Sequence, residues 1–348
     1  MKKKMFFILA LGLLAGISAI AQTYIILVKP MGVKEWGYAN LKGELIIPAK
    51  YRKCTEFSED GLAVIYDAKQ FTFINIKGET LKTEITDFKL YEIFGFGIKG
   101  FENGFVPVKQ NEKWGYLNTS GKLAIPAKYD KVSTFNSDRG VAQSGGKYII
   151  VNNQGVEIPI EASIITDVKQ FAEGFAPYKG AEDRFGFIDV NGKVAIQAQF
   201  QSVGYFSGGL AWAKMDKAIG FINPKGEWVI KPQFTTAKNF DAETGMARVK
   251  VADKWAYVNK SGEITNINDS QIVEDFSNGL ARGKKNDKFG FYNTKAEWVI
   301  QPQFDGARDF KNGYAAAKSG GKWGIIDKEG KWVIQPSFDE VKDVELIK

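Results

Sequence analysis

The chain offers few of the side chains on which enzymes usually build a site. It contains no histidine, so the commonest general base and metal ligand is missing. Its one cysteine, Cys54, has no histidine to activate it as a nucleophile and no second thiol for an internal disulfide. No Walker loop, nucleophile elbow or zinc-ligand spacing occurs. What remains is 40 carboxylates, any two of which could face each other across a groove as a glycosidase pair. No spacing singles out such a pair. The sequence therefore assigns no catalytic, cofactor-binding or metal residue, and the chain is expected not to be an enzyme, with a carbohydrate-active hydrolase as the alternative.

The aromatic residues are better candidates for a binding surface. Trp228, Trp298 and Trp332 recur at one position of a repeat, where other units carry Leu45, Leu123, Val194 and Ile264, with Leu81 and Val156 one residue to either side of it. Indole combines a flat apolar face with a donor edge, which suits sugar rings or apolar peptide faces. The same position also reads as ordinary core that tolerates tryptophan. Phe94, Phe96 and Phe101 mark an insertion that makes one unit longer than the others, and they complete the candidate set.

The elements that must position these residues form an array of nine imperfect units. Each has an aromatic strand: Trp36-Gly37-Tyr38, Trp114-Gly115-Tyr116 and Trp323-Gly324-Ile325 are the cleanest, and Phe185-Gly186-Phe187, Ile219-Gly220-Phe221 and Phe289-Gly290-Phe291 follow. The second, fourth and seventh units have lost the glycine, reading Phe71-Thr72-Phe73, Tyr148-Ile149-Ile150 and Trp255-Ala256-Tyr257. Asn or Asp follows in every unit, from Asn40 to Asp327, and three residues later comes glycine, with Ala296 the exception. Asn or Asp bonds its own backbone two residues on, and glycine takes the left-handed conformation that closes a hairpin turn. Such a ladder forms turns more readily than it binds cations, since only Asp189 and Asp327 carry charge. The Trp-Gly glycine is expected to let a neighbouring ring pack against the backbone. The strand after the turn, as in Leu45-Ile46-Ile47, is expected to be covered on both faces. Pro48, Pro126, Pro232, Pro302 and Pro336 fit a strand end or edge.

This composite signature resembles the WG-repeat family of exported bacterial proteins, over nearly all of the chain after residue 21. The resemblance implies a repetitive β fold and a presumed interaction role. Units this small cannot bury their own aromatic faces and must stack. The expected fold is all-β: a tandem array of about nine hairpin or three-stranded repeats forming an open superhelix. The alternative is a closed propeller-like ring, in which Tyr24 to Val28 would pair with the C-terminal unit.

Residues 1–21 read as a signal peptide, with Lys2-Lys3-Lys4, an apolar stretch and Ala19-Ile20-Ala21 as cleavage site. Residues 22–348 are then one continuous array, with no transmembrane segment expected after cleavage. Loss of those lysines takes the 47 basic residues to 44 against 40 acids, too even a balance to point to nucleic acid. The expected location is the periplasm, the outer-membrane surface or the medium. The expected function is non-catalytic binding of an envelope protein or glycan, without cofactors, a structural spacer being a further alternative.

Overall fold

A computed structural model describes residues 22–67, 70–93 and 97–348. The fold is the all-β tandem array expected from the sequence, arranged among the described residues as nine small antiparallel units, here called blades, of which the first and last share one seven-stranded sheet. Among the described residues no helix is long and apolar enough to cross a membrane.

Each blade adds to the expected three strands a short first strand, usually of two residues. Blade 3 comprises Lys89–Leu90, Phe105–Gln110, Lys113–Asn118 and Leu123–Tyr129. Blade 4 comprises Lys131–Val132, Arg139–Ser144, Lys147–Asn152 and Glu157–Pro159. Blade 2 comprises Lys53–Cys54, Leu62–Asp67 and Gln70–Asn75, and blades 5 and 6 begin at Asp167–Val168 and Ser202–Val203. Blades 7, 8 and 9 begin at Thr236–Phe240, Val273–Ser277 and Gly306–Ala307.

The turns form as their composition dictates. The carbonyl of Asn40 accepts the amide of Gly43, while its side-chain oxygen accepts the amides of Lys42 and Glu44. Gly43 has φ +80, and Ala296, standing in for glycine, is forced to φ +64.

Of the two expected arrangements, strand pairing selects the closed ring. The N-terminal strand Thr23–Pro30 pairs antiparallel with residues 338–347, the second half of the long strand Trp332–Ile347. The first half of that strand completes blade 9 by pairing with Lys322–Asp327. The second half is the first strand of blade 1, followed by Thr23–Pro30, Trp36–Ala39 and Leu45–Tyr51. Side chains of a strand alternate between its two faces. Ile25 and Leu27 accordingly pack with Ala63 and Ile65 of blade 2, whereas Ile26 and Val28 pack with Ala316 and Ile325 of blade 9. Every blade is thus sandwiched between two others, and no terminal face is left to be capped.

The Trp-Gly glycine has a different partner from the one expected. A Cβ on Gly115 would lie 2.5 Å from the carbonyl oxygen of Ile125 and 2.6 Å from the amide nitrogen of Ala127. Gly37, Gly186, Gly220, Gly290 and Gly324 meet the same backbone in their own blades. Glycine is therefore demanded by the fourth strand of its own sheet and not by an aromatic ring. That strand bulges there: Trp114 pairs with Tyr129 and Tyr116 with Ile125, so the fourth strand spends four residues where its partner spends two. The proline sits inside the bulge of an edge strand, as at Pro126. Where the unit lacks glycine the bulged strand is lost. It shrinks to Glu157–Pro159 in blade 4 and Ile264–Asn266 in blade 7, and in blade 2 to a single bridge between Ile74 and Thr80.

The fourth strands also correct the expectation of burial on both faces. Leu45, Ile46, Val229 and Val299 are exposed, because this strand is the outer edge of its blade and only alternate residues such as Ile47 and Ile230 reach the core.

Candidate functional site

The first strands face the axis of the ring. Residues at one register position converge there: Glu56, Thr134, Gln170, Tyr205, Asn239, Asp275, Asp309 and Asp343, each one residue before a buried apolar side chain such as Phe57 or Phe135. The carboxylate of Asp309 feels the charges of Asp275 and Asp343 in the blades on either side, which places these strands close together.

The two halves of this inner surface differ. On one half, arginines stitch each blade to the next. Arg248 of blade 7 pairs with Glu274 and Asp275 of blade 8 at 3.0 and 2.8 Å. Arg282 of blade 8 reaches Asp309 of blade 9 at 3.3 Å, and Arg308 of blade 9 reaches Asp343 of blade 1 at 2.5 Å. Burial raises the carboxyls of Asp275 and Asp309 above their ordinary range despite the arginines beside them. Carboxylates engaged in this way link each blade to the next.

The other half is open. A cavity of about 500 Å³ lies along the first strands of blades 3 to 6, within the size range of small-molecule sites. Tyr91 and Lys99 of blade 3, Lys131 and Thr134 of blade 4, Lys169 and Gln170 of blade 5 and Tyr205 of blade 6 contribute to it. Trp114, Gln143 and Tyr148 complete its aromatic and amide lining from the second and third strands. Tyr91 meets Trp114 edge-on with ring centres 5.5 Å apart. The Tyr148 hydroxyl donates to Asp167 at 3.3 Å, and burial followed by that carboxylate raises its pKa. Asp167 also holds the Lys169 ammonium at 2.6 Å and raises it.

The candidates expected from the sequence are dispersed. Trp228, Trp298 and Trp332 begin the fourth strands of blades 6, 8 and 9, half-buried between neighbours. Each packs edge-on against a ring, Phe200, Tyr292 and Phe304 respectively. The structure does not bring them to the cavity. Phe101 is 2% exposed and belongs to the core between blades 2 and 3. Phe94 and Phe96 lie outside the described residues. The insertion itself is nevertheless at the cavity: its hairpin, Glu92–Ile93 with Gly97–Ile98, is flanked by the lining residues Tyr91 and Lys99. Sequence reasoning missed Trp114, Tyr148 and Tyr205, which are ordinary positions of the repeat. The available signal was the extra length beside them.

Comparison with known proteins decides the family. The WG containing repeat family matches residues 36–66, 97–114, 114–148, 185–217, 219–255, 289–323 and 323–345, more than half of the chain. The chain belongs to this WG-repeat family. No curated protein matches it. Among solved structures it is similar to a eukaryotic initiation factor, with TM-score 0.62 at 11% identity, covering 94% of this chain and 98% of the other. A likeness at that identity concerns the fold alone. It also overlaps AztD from Citrobacter koseri, at TM-score 0.42 and 12% identity over 94% of this chain and 99% of that one. This WG-repeat ring thus shares a propeller-like β architecture with the initiation factor.

Proposed function

We propose that this WG-repeat ring is an exported, non-catalytic binding module that holds an envelope glycan or protein at the inner-strand cavity of blades 3 to 6. One observation carries this reading: the insertion that breaks the repeat falls beside a cavity of about 500 Å³ along the first strands of blades 3 to 6. The stacking of the repeat does not require these added residues, so the addition is read as serving the surface it borders. A cavity with aromatic faces and a few polar groups has the make-up of a recognition site. The stitched carboxylates on the opposite half support a binding role over a hydrolytic one. Export rests on residues 1–21, and periplasm, outer-membrane surface and medium are all compatible with it.

The test is retention from envelope extract on immobilised residues 22–348, compared with a Tyr91→Ala/Trp114→Ala/Tyr205→Ala variant of unchanged circular dichroism. Loss of the retained material in the variant supports the cavity. Equal retention by both proteins sinks it. Turnover of any glycan, abolished by one Asp or Glu substitution, would replace this reading with the hydrolytic one. Mass spectrometry finding Gln22 at the N-terminus of the secreted chain would support export, and an intact Met1 would refute it.

A further inference from the structure

The repeat assigns a partner to its own aromatic residue, and the cavity is where that partner is missing. In the hairpin of every blade but the sixth, where Ile219 takes the place, the aromatic at the start of the third strand lies across from a residue near the end of the second. These pairs include Lys179 with Phe185, Lys250 with Trp255, Lys284 with Phe289 and Lys318 with Trp323. In blades 1, 5, 7, 8 and 9 a lysine ammonium covers the ring at 4.6 to 6.0 Å from its centre. An aromatic face covered by a cation is already occupied.

Blade 2, where Tyr66 stands across from Phe71, lacks the lysine away from the cavity, and blades 3 and 4 break the rule at the cavity in different ways. Across from Trp114 stands Lys109, but its ammonium is held by Glu112 at 2.5 Å. Across from Tyr148 stands Gln143, which carries no charge. Both rings line the cavity, together with Tyr205 and the ammonium groups of Lys99, Lys131 and Lys169. Lys99 and Lys169 pair with Glu102 and Asp167, while Lys131 forms no ion pair among the described residues. The site thus supplies two aromatic rings without a lysine cover, amide and hydroxyl groups between them, and an excess of positive charge.

We infer that the cavity binds an anionic oligosaccharide, a pyranose chain carrying carboxylate groups; this rests on the cavity reading above. A pyranose has a C–H face that stacks on indole or phenol and an edge of hydroxyls for Gln143, Gln170 and Thr134. Its carboxylate would take the ammonium of Lys131. A peptide would be held through its main chain at an exposed strand edge. The strands that supply Trp114 and Tyr148 are the middle members of their sheets, and the edge strands along the cavity, Lys131–Val132 and Asp167–Val168, are only two residues long, too short to hold a peptide by main-chain pairing.

The experiment is calorimetric titration of residues 22–348 with hexamers of galacturonate, guluronate and mannuronate, with maltohexaose and hexaglutamate as controls. At least one uronate should bind more than tenfold tighter than both controls and weaken severalfold between 50 and 500 mM salt. Trp114→Ala should weaken it at least tenfold. Gln143→Lys is the sharper variant, because it supplies the lysine that other blades place over this ring. Although it adds positive charge, it should weaken uronate binding about fivefold. Tighter binding would mean that charge alone governs the site and would overturn the stacking argument. Lys284→Gln in blade 8 should leave affinity unchanged. Equal binding of maltohexaose refutes the anionic part, and preference for hexaglutamate refutes a sugar altogether. If no uronate binds while envelope material is still lost in the Tyr91/Trp114/Tyr205 variant, the ligand class is wrong and the cavity stands. If retention is also unaffected, both readings fall.

Discussion

The family's glycine can be tested through the strand it accommodates. In Gly115→Ala the new methyl would lie 2.5 Å from the Ile125 oxygen, 2.6 Å from the Ala127 nitrogen and 2.7 Å from the Pro126 carbonyl carbon. All three contacts are backbone, so no side chain can rotate away. Relief requires the outer strand Leu123–Tyr129 to move. Overpacking of this kind costs about 1–3 kcal/mol. Any ladder hydrogen bond lost between the third and fourth strands adds about 1 kcal/mol. The restricted unfolded chain returns about 0.4–1 kcal/mol. The net expectation is a loss of about 2 kcal/mol. Ala256→Gly in blade 7 is the matched control. There the fourth strand stops at Asn266 before any bulge. Glycine would cost it about 0.5–1 kcal/mol in backbone entropy, plus the contacts of one buried methyl. Urea unfolding followed by tryptophan fluorescence ranks the two. Hydrogen exchange of residues 123–129 localises the effect, which matters because neighbouring blades need not unfold as one unit. If Gly115→Ala shifts stability by less than about 0.5 kcal/mol and leaves exchange unchanged, then the glycine is not there for the strand.

Three further outcomes follow from the same structure. Deleting residues 340–348 removes the first strand of blade 1, including buried Val341 and Val344. It should cost several kcal/mol at about 1.5–3 kcal/mol per buried aliphatic side chain, and scattering should change from a closed ring to a larger, extended particle. A compact, equally stable truncated chain would refute closure. Asn118→Ala removes the side-chain oxygen that accepts the amides of Ser120 and Lys122. Thermal unfolding should show a loss of about 1 kcal/mol, and no loss would mean that Gly121 alone carries the turn. Burial pushes the Cys54 thiol up to about 11. Because the folded value is raised, the stabilisation it reports is complete below the ordinary thiol range near 8.5 and is lost as pH rises toward 11. Iodoacetamide labelling at pH 8 should be far slower than for a free thiol and should accelerate up to pH 11. Fast labelling at pH 8 would contradict that burial.

What was legible in the sequence was what each unit repeats locally. The offset from Asn or Asp to glycine encodes a turn, and it located all nine hairpins because turn chemistry acts over four residues. Ring closure was less legible. Tyr24 to Val28 announced a strand without naming its partner, and pairing it with residues 338–347 is the most distant contact the chain makes. The outer strands misled because Leu45 and Ile46 look like core by composition, while an edge strand is half solvated whatever its residues. The cavity was illegible for a different reason. Trp114 and Tyr148 occupy the same repeat position as Trp255 and Trp323, and nothing in their own identity distinguishes them. The difference lies across the hairpin, at Gln143 and at the Lys109–Glu112 pair.

A ring of equivalent blades presents equivalent surfaces, so a specific site needs the symmetry to fail at several places together. It fails around blades 3 to 5. The insertion lengthens blade 3 and carries Tyr91 against Trp114. Blade 4 lacks the glycine and with it the bulged outer strand. The inner carboxylates of the opposite half give way here to Thr134, Gln170 and Tyr205. Each change costs the ring some repeat packing, and the stitched half, with arginines joining blades 7, 8, 9 and 1, supplies extra links between blades where they are retained. The proposed division of labour is therefore angular: one arc of the ring holds it shut, and the facing arc, released from that duty, is the one proposed to bind.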